Sequence, residues 1–284
     1  VDASGRGSRT PAWLEELGYA APAVDLVEVG MGYASRLYAR KPDDLGGDLL
    51  INVSPTPQNR RASAALAQEG DRWRVTLAGY FGDYPPVDDE GFRAFARKLP
   101  TPDIHALITN ATPLSDPVPY KLPANQRRRY ERLAEFPAGL LVLGDAICSF
   151  TPIYGQGMST AAMQAQALQA CLAQGQIDLA RRFFREAATA IGNPWNLTVG
   201  NDQRLSGAAL PAPKHLLNWY MDKLQIVARR DPEVALAAEG GQSLCRRASL
   251  LHPHIALCVL KGSLWESSSA SMQGAALSTQ ESSS

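Results

Sequence analysis

The densest chemical signal in the chain is Gly144-Asp145, then six residues, then Pro152-x-x-Gly155-x-Gly157-Met158. A carboxylate leaving the end of an apolar run accepts hydrogen bonds from ligand hydroxyls, and glycines without Cβ let the backbone lie close against a flat ring. The Ala-rich stretch beginning near Ser159 has high helix propensity, so its first N–H groups and partial positive charge face the same place. Together these features describe a site for a polyol joined to an electron-rich ring. At the other end of the sequence, Ser4, Gly5, Gly7 and Ser8 form a second glycine loop, followed by a helical turn over PAWLEELG that Gly18 ends.

Other groupings carry less. His252-Pro253-His254 with Cys258 would set a nitrogen and a sulfur on one helical face, but with proline in the middle and no further ligand pair nearby a structural role is expected and no metal. The run Arg127-Arg128-Arg129, with Arg132, reads as a solvated basic face rather than a phosphate clamp. Cys148 lies close to the glycine loop without a partner base in sequence and reads as a packing thiol, and Trp195, Trp219 and Tyr220 as core contacts. No G-x-S-x-G elbow, P-loop or H-E-x-x-H occurs, which removes support for hydrolase, phosphotransferase and zincin chemistry.

The run GLLVLGDAICSFTPIYGQGMSTAAMQAQAL resembles the second flavin-binding motif of FAD-dependent monooxygenases of the para-hydroxybenzoate hydroxylase type. The resemblance implies that Asp145, beside Gly144, holds the ribityl chain of FAD, and that Pro152, Gly155, Gly157 and Met158 face the pyrimidine side of the isoalloxazine. The opening VDASGRGSRTPAWL is similar to the family's A-D-G-x-x-S segment, which adds Ser4 and Gly5 to the cofactor residues; Ser4 stands where the family usually carries Asp. Ile147-Cys148 replaces the family's Ala-His, and Ser159 its Asn. By the same resemblance the activity is hydroxylation or epoxidation of a small apolar substrate (aromatic, polyketide or isoprenoid), with NAD(P)H as reductant and no catalytic acid-base pair required. A reductase or halogenase of the same fold, or a non-catalytic remnant, are the alternatives. No G-x-G-x-x-G occurs in the sequence, and the chain opens on Val1, so it reads as the C-terminal part of a flavoenzyme whose N-terminal nucleotide-binding segment is the missing partner.

The elements that must position these residues follow from pattern. The expected fold is α/β: a partial FAD-binding Rossmann-type domain, an inserted and mostly antiparallel substrate sheet, and a helical C-terminal region. The expected divisions are 1–23 and 126–192 for the FAD domain, 24–125 for the sheet, 193–262 for the helices and 263–284 for a disordered serine-rich tail. Strands are expected over Asp25 to Val29, Tyr33 to Ala39 and Leu49 to Val53, and a hairpin around Gln68 to Asp71, beyond which Trp73, Val75 and Leu77 alternate. A helix is expected from Asp89 to Lys98, a Pro-rich crossing from Pro113 to Pro123, and a strand buried on both faces over residues 139–144. Later helices are expected to start at Asp178, at Asn193-Pro194, at Asp231-Pro232 and at Pro253. Lys+Arg and Asp+Glu both number 28, so nothing in the charge balance suggests capture of nucleic acid or of an anionic membrane. No apolar run approaches the roughly 20 residues of a membrane span. Four scattered cysteines and no leader pattern make the cytoplasm the expected compartment.

Overall fold

The computed structural model describes residues 1–207 without interruption and, beyond them, residues 219–221, 223–224, 226–228, 231–242, 252–259 and 261. Val1–Ala208 forms one compact unit and Ala209–Ser284 a second. Leu216, Leu217, Cys245 and the serine-rich tail lie outside the described residues. No described helix is long and apolar enough to cross a membrane.

The first unit contains helices α1 (Thr10–Glu16), α2 (Asp89–Arg97), α3 (Asp103–Asn110), α4 (Gly157–Ala173) and α5 (Leu179–Ser206). Its strands are β1 (Val24–Ala39), β2 (Leu50–Val53), β3 (Arg61–Gln68), β4 (Arg72–Gly79), β5 (Val118–Arg128) and β6 (Cys148–Ser149). They make one sheet in the order β2-β3-β4-β1-β5-β6 with antiparallel pairing throughout. The expected antiparallel sheet and hairpin are there, with Gln68 opposite Arg72 across the turn. Trp73, Val75 and Leu77 point to one face and bury against Phe92 and Phe95 of α2 and Ile104 and Ile108 of α3.

Several local expectations are corrected. The two runs Asp25 to Val29 and Tyr33 to Ala39 are one 16-residue strand, bulged between Glu28 and Met31. Gly30 makes the bulge possible: its φ is +46°, and a Cβ there would meet Phe81 Cα at 3.3 Å. The Pro-rich stretch pairs with β1 from Val118 onward, while β6 covers β5 only at Gln126 and Arg127. Pro119 and Pro123 therefore sit where β5 has no second neighbour, the sheet position that tolerates a residue without N–H. Helix α3 escaped notice because it is only eight residues long and follows Pro100 and Pro102 closely.

Residues 139–144 do not form an extended strand. Their one ladder contact is a parallel bridge from Val142 to Asp2, in which Asp2 N–H donates to Leu141 O at 2.7 Å and Leu143 N–H to Asp2 O at 2.8 Å. Burial still makes this run part of a core, with Leu14, Leu141, Val142, Ile147, Phe183, Phe184 and Trp195 packed together. Asp178 precedes α5 with a φ of +51° and makes no side-chain cap. Asn193-Pro194 begins no helix: α5 runs through it, because Ile191, Pro194 and Trp195 are all buried and that packing outweighs the lost N–H.

In the second unit Asp231 caps the helix Pro232–Gln242 as its position suggests, accepting from Glu233 N–H at 2.9 Å and Val234 N–H at 3.2 Å. Residues 253–259 are helical from Pro253 onward. Leu224, Val227, Val234, Ile255 and Val259 form this unit's own core.

The sheet's tightest turn gives a stability test. A Cβ at Gly79 would lie 1.8 Å from the Asp83 carbonyl oxygen and 3.3 Å from Phe95 Cζ, whereas one at Gly192 in α5 meets nothing within 4 Å. Gly79→Ala is expected to cost about 1–3 kcal/mol or more through overpacking. Gly192→Ala should gain roughly 0.5–1 kcal/mol from helix propensity. Urea unfolding midpoints read both, and an unshifted midpoint for Gly79→Ala would refute the packing at this turn.

Candidate functional site

The two glycine-containing segments, far apart in sequence, meet at one end of β5. The Asp2 bridge holds the start of the chain beside residues 141–143, and Arg128 fastens both loops. Its Nη1 donates to Ala146 O at 2.8 Å, its Nη2 to Arg6 O at 2.9 Å, and its backbone N–H to Ile147 O at 2.8 Å. Arg128 is 7% exposed and Arg127 5%, so the expected solvated face is overturned. Carbonyl groups and Glu131 receive Nη1 and Nη2 of Arg128 and Nη2 of Arg127, which lowers the cost of burying the two charges. Arg129, the third of the run, pairs with Asp25 and Glu131.

The loop at residues 3–8 is organised by a carboxylate that sequence reasoning passed over. Asp2 accepts from Ser4 N–H at 2.8 Å, from Ser8 Oγ at 2.6 Å and from Thr10 Oγ1. Burial raises the pKa of this carboxyl, but the bonds from Ser4, Ser8 and Thr10 outweigh it and hold the group well below the usual carboxylate range. An Asp two residues before a Ser, with further hydroxyls following, is a recognisable Asx-type pattern and was the available signal. Ser4 is exposed, and Gly5 turns the loop with a φ of +86°, its carbonyl accepting from Ser8 N–H at 3.0 Å.

Gly144 is buried with a φ of +69°, and its N–H donates to Gln164 Oε1 of α4 at 2.8 Å. That buried glutamine, in an otherwise Ala- and Leu-rich helix, sets the distance between the Gly144 turn and α4. Asp145 follows on the exposed side. Partial desolvation raises its carboxyl pKa, against the pull of the Arg6 guanidinium. Burial pushes the Arg6 pKa down; Tyr120 and Asp145 raise it again and Arg128 lowers it. A Cβ at Gly157 would stand 4.0 Å from Asp145 Oδ1, so the carboxylate lies over the start of α4. Between them, Pro152–Tyr154 forms one 3-10 turn that Gly155 closes with a φ of +64°. Met158 in the first turn of α4 is 86% exposed. The structure thus brings Gly144, Asp145, Gly157 and the Arg6 loop together, with Pro152 and Gly155 on the turn that joins them.

The same place meets the sheet. Ile153 packs with Val29, Met31, Ala62, Ala78 and Leu122, on the face opposite α2 and α3. Tyr33 and Tyr120 pair across that face with ring centroids 5.2 Å apart, and Tyr120 is half exposed. A separate cleft of about 770 Å³, lined by Val1, Tyr130, Phe136, Leu141, Leu172 and Phe184 among others, includes none of the expected cofactor residues.

Of the expected core contacts, Trp195 is buried at 5% exposed, whereas Trp219 is 44% exposed and is not one. Cys148 is 1% exposed, and burial raises its thiol pKa far above the ordinary value, as suits a packing thiol. His254 Nε2 lies 3.0 Å from Glu233 Oε2 and 3.8 Å from Cys258 Sγ.

No family model matches the chain. It is 32% identical over 262 residues to Protein Rv3254 of Mycobacterium tuberculosis, with 88% of this chain aligned to 53% of that protein. The chain therefore spans about half the length of this curated relative. A variant of HpxO from Klebsiella pneumoniae in complex with FAD matches at a TM-score of 0.51 and 20% identity, over 72% of this chain and 50% of that chain. A triple mutant of the flavin-dependent brominase Bmp2 matches at 0.50 and 18%, over 69% and 49%. A flavoprotein/dehydrogenase from Cytophaga hutchinsonii matches at 0.50 and 15%, over 75% and 52%. The chain shares its fold with these flavin proteins. At such identities the likeness speaks for architecture, a mixed α/β fold with an antiparallel sheet, as the sequence led us to expect.

The Asp2 hub has a pH signature. A carboxyl whose folded pKa is depressed adds stability that is complete above its unfolded value, about 3.9. That stability drains away as pH falls toward the folded value. The urea-midpoint difference between the wild-type chain and Asp2→Asn should be constant from about pH 7 to pH 5 and narrow progressively below about pH 4. A difference that stays constant down to about pH 3 would mean that Asp2 is not the charged centre of the loop.

Proposed function

We propose that this chain holds the isoalloxazine and ribityl part of FAD in an oxidoreductase of the para-hydroxybenzoate hydroxylase type, acting as a monooxygenase on a small apolar substrate. The observation that carries the reading is the convergence of Asp145, the glycines of two distant loops and the start of α4. The cradle fits a flat ring with a polyol tail: a Cβ at Gly5, Gly7 or Gly155 would meet nothing within 4 Å, and one at Gly157 only Asp145 Oδ1. No side chain caps the N-terminus of α4, which suits an electron-rich ring edge.

In this reading Asp145 accepts the ribityl hydroxyls, while Gly155, Gly157 and Met158 present backbone to the ring, and Ser4 and Gly5 border it from the first loop. Bound FAD, once reduced, supplies the electrons with which O₂ is activated for oxygen insertion. The sheet face carrying Tyr33 and Tyr120, against which Ile153 packs, orients an apolar, aromatic, polyketide or isoprenoid substrate beside the loop and keeps water from it. Arg6, between Tyr120 and Asp145, balances the local charge. We assign NAD(P)H as reductant from the family resemblance, and the pyrophosphate-binding half of the FAD site to a further segment of the same enzyme, in keeping with the relative's greater length. Likeness of fold to a brominase gives a halogenase as the second reading.

Riboflavin carries the ring and ribityl chain without phosphate, so it tests the assigned half of the site alone. Titrated into the 284-residue chain, it should show saturable fluorescence quenching. Asp145→Ala should weaken binding by roughly ten- to a hundredfold, since charge-assisted hydrogen bonds contribute about 1.5–3 kcal/mol each. Absence of quenching, or quenching indifferent to Asp145→Ala, rejects the assignment.

A further inference from the structure

Beneath the turn that joins Asp145 to α4 lies a buried polar cluster for which the proposed function has no use. Asp202, near the end of α5, is 2% exposed. Asn125 of β5 donates its Nδ2 to Asp202 Oδ2 at 2.5 Å, and Tyr154 donates its hydroxyl to Asp202 Oδ1 at 2.9 Å. The Thr151 hydroxyl stands 3.5 Å from Oδ2. Asn125 uses its other end to accept the Thr151 backbone N–H at 2.7 Å. Carboxylate and amide therefore grip both ends of the turn, Thr151 and Tyr154, from two separate elements. Tyr80, just past β4, is buried beside Tyr154 and Asp202. Burial raises the Asp202 pKa, and bonds from Asn125, Tyr154, Tyr80 and Thr151 pull it back.

The turn has little of its own to fix it. One backbone bond, from Gly155 N–H to Pro152 O at 3.0 Å, closes it. Its apolar residue, Ile153, packs in the same cluster as Leu205, which stands three residues after Asp202 on α5. One helix end thus holds the turn twice, through a carboxylate and through a leucine on the same face. A carboxylate buried this deeply is costly unless its acceptors are filled, so the cluster has one low-energy arrangement and the turn follows it.

We propose that Asp202 is the positioning residue of the Thr151–Gly155 turn, fixing from the protein interior the backbone that faces the ring of the cofactor. Its bearing on the cofactor rests on the FAD reading above; the hold on the turn does not.

A swap tests it. Asn125→Asp would set two carboxylates across the contact that an amide and a carboxylate now share. Adding Asp202→Asn restores one donor and one acceptor, and leaves oxygens for both Thr151 N–H and the Tyr154 hydroxyl. Hydrogen exchange of the amides of Thr151 and of residues 153–157 should quicken by about tenfold or more in Asn125→Asp and in Asp202→Ala, and return to within about threefold of wild type in the swap. Riboflavin affinity should fall and recover in the same order. Should Asp202→Ala fail to fold, the Asn125→Asp single and the swap still decide. Exchange at those amides that is unchanged in the singles, or that stays fast in the swap, overturns the proposal. If exchange follows the expected order while no variant and no wild-type chain binds riboflavin, the FAD reading fails and the role of Asp202 stands.

Discussion

One guanidinium ties together the two loops that make up the candidate site. Arg128 is buried at the end of β5, and its planar fork reaches two carbonyls, Ala146 O and Arg6 O, one at mid-sequence and one near its start. A buried cation must fill its donors, and the carbonyls that fill them are the ones at the bases of the two glycine loops. A lysine there would offer a compact point charge in place of a rigid fork and could not fix both loops with the same geometry. The parallel bridge at Asp2 and the Asp2 hub then shape the first loop, and Gln164 sets α4 against the second. These contacts and the Arg128 fork act on the same two loops.

The sheet contributes by being unequal on its two faces. Trp73, Val75, Leu77 and Tyr38 fill the face under α2 and α3. The other face carries Ala62, Ala64, Ala78, Ser35 and Thr76 around the Tyr33–Tyr120 pair, with Ser35 and Thr76 hydroxyls hydrogen-bonded at 2.7 Å. Period-two alternation separates the large β4 side chains under α2 and α3 from the small β3 and β4 residues of the other face, which also buries Val29, Met31 and Leu122. The bulge at Gly30, pressed against Phe81, bends β1 where it passes from the sheet toward the loop end.

What the sequence made legible was local: the β3–β4 hairpin, the antiparallel character of the sheet, the strong propensity of α4 and the Asp231 cap all arise from neighbours within a few residues. What it hid was decided at a distance. The arginine run looks solvated until α5 and the two loops close over it. The stretch 139–144 has the composition of a doubly buried strand, yet composition does not say which backbone it pairs with, and the ladder contact it makes is with Asp2. Asn193-Pro194 carries a local start signal that the burial of Ile191 and Trp195 overrides. Of the candidate site, Gly144, Asp145 and the glycine loops could be named from spacing, whereas Asp2, Arg128, Gln164 and Asp202 act through partners that include Ser8, Arg6, Gly144 and Tyr154, at separations of 6, 122, 20 and 48 residues.

The treatment of helix ends bears on where a ligand belongs. The Asp88 side chain caps α2 by accepting Gly91 N–H at 2.7 Å, and Asp231 caps Pro232–Gln242 in the same manner. The N-terminus of α4 receives no such cap, although this 17-residue helix concentrates its dipole there. Instead the residues leading into it are Gly155, Gln156 and Gly157, with the Asp145 carboxylate held to one side and no bulky side chain in front. A capping side chain typically contributes about 0.5–2 kcal/mol, and α1, α3 and α5 also do without one, so the missing cap alone does not distinguish α4. What sets α4 apart is the space before it: a Cβ at Gly155 would meet nothing within 4 Å and one at Gly157 only Asp145 Oδ1, so the first N–H groups of a 17-residue helix stand beside an open approach.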